Sequence, residues 1–212
     1  MERQIIVDAK YIAALKLFAA VKDVRERLVA ISVEASAKEA RLMTTDGHRM
    51  AIVRAGVNGE ASDTQEVQKA VIPLVMFEHI KPFGSVLISL EAPLEEANTG
   101  SLSRKVNINW NGMTKEGVSL DECGVDWRRV FPREVSFKAG HFDLRYLGDL
   151  TKVQKLLGLK TSPVLAQNGP EKAAVVFFGD DAIQALVMPM RIDNDSLPDT
   201  FEWVLDSLET ED

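Results

Sequence analysis

Residues 4–7 form a short, apolar-rich extended run, and after them Ala14, Leu17, Phe18, Val21 and Val24 recur at the three- and four-residue spacing of one helix face. This spacing predicts an amphipathic helix running through Val24, with Lys16, Lys22, Asp23, Glu26 and Arg27 on its polar side. Alternation then takes over at 28–34, and two further extended runs, 41–44 and 49–54, flank Asp46-Gly47, a pair suited to the positive φ angles of a tight hairpin. One strand, one helix and three strands make a unit.

The same order returns twice. An extended run at 70–72 leads into a short helix from Pro73 through Ile80, stopped by Pro82, and strands follow at 86–90, 106–110 and 113–120, with a polar loop at 95–103. A third pass starts with a strand at 135–138 and a helix at 142–157. That helix buries Tyr146, Leu147, Leu150, Val153 and Leu157 and turns Arg145, Asp149, Lys152 and Lys155 outward. Strands at 164–166, 173–178 and 182–189 complete it, with Gly179-Asp180 in a turn. Repeated β-α-β-β-β units imply an α+β fold of antiparallel sheets with helices on one side.

Composition narrows the function. The 212 residues, 46% hydrophobic, suffice for a sizeable core, and no apolar run approaches the roughly 20 residues of a membrane-spanning helix, so a soluble, unprocessed, cytoplasmic protein is expected. One cysteine, Cys123, and three histidines give neither an internal disulfide nor a structural zinc site, and no metal or cofactor is expected. The net charge of -7 requires any nucleic-acid contact to use a local basic patch. Catalysis finds no support among Asp46, His48, Glu78, His79, Cys123 and His141, which form no recognisable spacing, and no glycine-rich phosphate loop is present. No catalytic residue is assigned.

Three motifs carry a resemblance. The stretch Leu42-Met43-Thr44-Thr45-Asp46-Gly47-His48-Arg49-Met50-Ala51 resembles a hairpin in the middle domain of the bacterial DNA polymerase III beta sliding clamp. Val125-Asp126-Trp127-Arg128-Arg129-Val130-Phe131-Pro132 resembles that family's passage from its middle to its last domain, and Leu186-Val187-Met188-Pro189-Met190-Arg191-Ile192 resembles its carboxyl end. They occur in the family's order. The resemblance spans about 4–192, with no counterpart of the first clamp domain and only half of the last. It implies a complete clamp-like domain at 1–124, a half domain at 125–192 and an added acidic tail at 193–212, where Phe201, Val204, Leu205 and Leu208 share one helical face.

The family's peptide groove, carried over by resemblance, would be walled by Thr45, Gly47, His48, Arg49, Met50, Pro73, Phe77, Leu186, Met188, Pro189, Met190 and Arg191. Methionine suits such a surface because its unbranched thioether repacks around different ligands. A clamp's DNA-facing helices would correspond here to Lys16, Lys22, Arg25, Arg27, Arg145, Lys152 and Lys155. The resemblance implies a non-catalytic processivity or tethering factor. Its partners would be polymerases or other replication and repair proteins carrying short linear peptides, double-stranded DNA, and further copies of the chain. A protein that sequesters clamp-binding partners without forming a ring is the alternative.

Overall fold

The computed structural model describes residues 3–58, 67–95, 102–120 and 124–192. The tail helix expected around Phe201 and Leu208, the residue Cys123 and most of the 95–103 loop lie outside them.

Strand β1 (Arg3–Asp8) leads into helix α1 (Ala9–Lys16), whose N-cap is Asp8; its carboxylate accepts from the Lys10 amide at 3.0 Å. Strands β2 (Ala30–Ala35), β3 (Glu39–Thr45) and β4 (Arg49–Asn58) complete the first unit. The second has β5 (Gln68–Pro73), a 3-10 turn (Leu74–Phe77), β6 (Ser85–Glu95), β7 (Leu102–Trp110) and β8 (Met113–Val118). The third has α2 (Leu144–Leu157), β9 (Val164–Ala166), β10 (Ala174–Phe177) and β11 (Ile183–Val187). Asp143 caps α2 at its start, and Gly158 at φ 69 closes it in the left-handed region.

Eight of the strands are antiparallel neighbours in one continuous order, β5-β2-β3-β4-β1-β6-β7-β8, and β9, β10 and β11 branch from it at β4. Within it the first two units trade strands. Strand β1 lies along β6 from Arg3↔Leu90 to Asp8↔Ser85, while β5 lies along β2 from Gln68↔Ala35 to Pro73↔Ala30. The second edge of β4 is shared: β1 takes Gly56, Val57 and Asn58, and β11 takes Arg49 through Val53. Strand β11 then pairs β10, which pairs β9.

The helical face holds a core to which all three units contribute, with Ile12, Leu15, Phe18, Leu42, Val53, Ile88, Leu150, Val153, Phe178 and Val187 buried together. Helix α2 packs against α1, so the third unit's helix is covered from within the chain. On the opposite face of the β4/β11 seam, Met50, Leu186, Val175 and Ala166 form a smaller core under Val125, Trp127, Phe131 and Val135. That covering segment is latched by Glu34, which accepts from Arg128 at 2.7 and 3.1 Å, while the Arg41 and Arg128 guanidinium groups lie 5.1 and 4.3 Å from the Trp127 ring.

Three elements depart from expectation. The first helix stops at Lys16, leaving Val21 and Val24 89% and 98% exposed. Asp23 accepts from the Arg25 amide at 2.8 Å, a local side-chain turn that competes with helix, and Lys22, Arg25 and Arg27 therefore follow the helix and do not ride on it. The second helix contracts to one 3-10 turn. No strand forms at 135–138, where Phe137 takes φ 57; the segment is held by Asn168, which accepts from the Ser136 amide and donates to the Glu134 carbonyl.

Candidate functional site

The turn between β3 and β4 is fixed by its own side chains. Thr45 Oγ1 accepts from the Gly47 amide at 3.0 Å and donates to the Arg49 carbonyl at 2.7 Å, while Asp46 Oδ1 accepts from the His48 and Arg49 amides, both at 2.9 Å. Gly47 sits at φ 93, a conformation that disfavours any side chain. The turn presents His48 outward.

From the far end of the chain, β11 lies beside β4 with Val187↔Arg49, and past its end the Met188 amide donates to the His48 carbonyl at 2.7 Å. The Met190 amide donates to the His141 carbonyl at 2.6 Å, which fixes the next two residues against the entry to α2. Met188 and Met190 are 38% and 45% exposed, and Met190 also borders a hollow of about 670 Å³ with Phe142, Leu144, Leu147, Leu165 and Ile192. His48 stacks on Tyr146 of α2 with centroids 6.0 Å apart. Two distant segments thus frame one mixed apolar and aromatic surface.

Beneath it lies an ion-pair network. Arg49 donates to Asp46 at 2.9 Å and to Asp149 of α2 at 2.5 Å, and its guanidinium lies 4.7 Å from the Tyr146 ring and 5.5 Å from that of Phe18. Lys152 adds a 2.6 Å contact to Asp149. Burial alone would push the Asp149 carboxyl up, but hydrogen bonds from Lys152 and Arg49 hold it below the usual carboxylate range.

The fold gathers Gly47, His48, Arg49, Met188, Pro189, Met190 and Arg191, while the other expected wall residues are buried or lie elsewhere. Thr45, Met50 and Leu186 are buried, the last two in the small core under Trp127, and Phe77 is in the main core. Pro73 borders a second hollow of about 700 Å³ with Val21, Val24, Leu74 and Val75. Tyr146 and Asp149 were missed as site residues because only the fold sets them beside a turn about 100 positions earlier.

Among the expected DNA-facing residues, Lys16 donates to the Phe77 carbonyl and burial lowers its pKa. Arg25 pairs with Asp23, Arg145 with Asp143 and Lys152 with Asp149, while Lys22, Arg27 and Lys155 are exposed. Of the acid-base candidates, Asp46 is occupied by the turn and by Arg49, and His79 packs edge-on to Trp110. Among the described residues no group of three metal-ligating side chains occurs, and no helix is long and apolar enough to cross a membrane.

No protein-family model matches the sequence, and no curated protein matches it. Solved structures do. The DNA polymerase sliding clamp of Bacillus subtilis is similar over 91% of this chain and 65% of its own, at a TM-score of 0.64 and 12% identity. That of Pseudomonas aeruginosa, solved with a ligand, matches over 89% and 66%, at 0.63 and 16%. The DNA polymerase III subunit beta of Borrelia burgdorferi, in complex with a natural product, matches over 90% and 64%, at 0.65 and 12%. The chain has the sliding-clamp fold. It spans about two thirds of the clamps it matches, and at such identity the likeness concerns the fold alone. In clamp terms, the turn at Gly47 and the strand end at Met188 meet along the seam between the first unit and the third.

Proposed function

We propose that this chain is a shortened, non-catalytic clamp-like tethering protein of the cytoplasm. It holds short linear peptides of polymerases or other replication and repair proteins on the surface made by His48, Tyr146 and Met188 to Arg191. The observation that carries the reading is the Met188 amide bonded to the His48 carbonyl, continuing the β4/β11 ladder. It keeps two exposed methionines and a stacked histidine in one place, the flexible apolar and rigid aromatic mixture suited to a peptide anchor. Residues 1–124 serve as a complete clamp-like domain, 125–192 as half of another, and the acidic tail at 193–212 follows it. Copies of the chain assemble around double-stranded DNA without reading its sequence, using the cations on and beyond α1 and on α2.

A second reading, a partner-sequestering protein that never encircles DNA, is favoured by one observation. Lys16, Arg25, Arg145 and Lys152 are each already committed to a carbonyl or carboxylate, which leaves Lys22, Arg27 and Lys155 as the freer members of the proposed lining. Retention on nicked circular duplex, lost when the same DNA is linearised and weakened by salt, is expected of a ring. Peptide binding with equal, weak affinity for both DNA forms supports the sequestering protein.

A further inference from the structure

The trade of first strands between units one and two gives a rule that the third unit leaves unfulfilled. In each of the first two units the opening strand contacts its own last strand on one side and the other unit's strand trio on the other. Strand β1 pairs β4 and β6, and β5 pairs β2 while its Val71 carbonyl accepts from the Leu120 amide at 2.8 Å. The third unit keeps the first half of this arrangement: the His141 carbonyl accepts from the Met190 amide just beyond β11. Among the described residues no further strand trio lies on the other side. Residues 135–141 form no strand, and among the described residues β9 pairs only with β10, so its outer edge is open.

Exposed apolar side chains stand on both segments. Phe137 is 79% exposed, Leu144 at the start of α2 80%, and Val164 on β9 59%. The hollow of about 670 Å³ bounded by Phe142, Leu144, Leu147 and Leu165 lies on the helical face of β9, to which Leu165 points, whereas Val164, like Ala166, faces the other way. The segment before α2 is otherwise well placed. The Gly169 amide donates to the Lys138 carbonyl at 2.9 Å and Gln167 accepts from the Gly140 amide at 2.8 Å; Gly140 approaches Gly169 so closely that a Cβ would lie 2.7 Å from its carbonyl oxygen.

We infer that two copies of this chain pair through their third units by reciprocal strand exchange. The segment ahead of α2 in one copy lies along the open edge of β9 in the other, and the reverse, about a twofold axis. The occupant is a second copy because the two vacancies are complementary and belong to one unit, so a single isologous contact fills both, as β1/β6 and β5/β2 do within the chain. An open strand edge beside exposed apolar side chains is seldom left unpaired. The inference deepens the homo-oligomer reading above and does not depend on the peptide surface.

The test is sedimentation of the full chain at micromolar concentration, with Leu144→Asp and Val164→Lys as variants at exposed positions and Met113→Lys on the far edge strand β8 as control. The expected result is a species of twice the 23.5 kDa chain mass. Both third-unit variants should raise the self-dissociation constant at least about tenfold, with unchanged circular dichroism, while Met113→Lys stays dimeric. Amide exchange at 137–141 and 164–166 should slow as concentration rises. A monomeric full chain, a dimer indifferent to both third-unit variants, or one broken by Met113→Lys alone overturns the exchange. Peptide binding retained by the monomeric variants would show that the tethering reading stands apart from it.

Discussion

Arg49 faces the helices while its neighbour Met50 faces the small core, as the alternation of a strand requires. Its guanidinium joins the turn, through Asp46, to α2, through Asp149, so the position of His48 over Tyr146 depends on a half-buried charge network. Removing one partner leaves a charge short of hydrogen bonds, and Asp149→Ala should cost about 1.5–3 kcal/mol in denaturant unfolding; no loss would show that the pair is only a surface contact. The Asp149 carboxyl is held below its unfolded pKa, so its contribution is present at neutral pH and is lost as pH falls through the folded value. The wild type should therefore lose more stability than the variant in the acid range below about pH 4. The turn was legible in the sequence because Thr45, Asp46 and Gly47 dictate it locally. The Arg49–Asp149 pair was not, because no local pattern links residues so far apart.

At the level of elements, the strands were legible wherever apolar and polar positions alternate, as in β3, β4, β6 and β7. The helices were less so. Helical spacing through Val24 is a true periodicity of the sequence, but the Asp23–Arg25 turn and the 3-10 turn at Glu26–Leu28 take over the backbone after Phe18. Phe18, fully buried, still belongs to the core, whereas Val24 is almost wholly in water. Phe18→Ala should thus cost about 3–5 kcal/mol and Val24→Ser less than about 0.5 kcal/mol in thermal or denaturant unfolding. A large loss at Val24 would mean that the helix continues in solution. The missing strand at 135–138 has a different cause: its alternation was legible, but Phe137 takes φ 57 and Asn168 engages the Ser136 amide and the Glu134 carbonyl, contacts that local alternation does not encode.

For the whole molecule, the three units read from the pattern are joined into one order of strands, and the third is less isolated than a half domain suggests. Its helix is covered by α1 and its last strand by β4, while among the described residues β9 has β10 as its one strand partner. Of the expected recess, the sequence motifs located the part where the Gly47 turn meets Met188, but not the burial of Met50, Leu186 and Phe77, which depends on how the 125–135 segment and the core close over them. The proposed tethering function requires partners to attach at that meeting point. Backbone amide chemical shifts recorded while a clamp-binding linear peptide is titrated into the full chain test it most directly. The largest changes should fall at Gly47, His48, Tyr146, Met188 and Met190, and they should vanish in a folded Met188→Ala/Met190→Ala variant. Changes centred instead on Val24, Pro73 and Val75, or saturable binding that the double variant leaves intact, would place partner attachment elsewhere and rule this surface out.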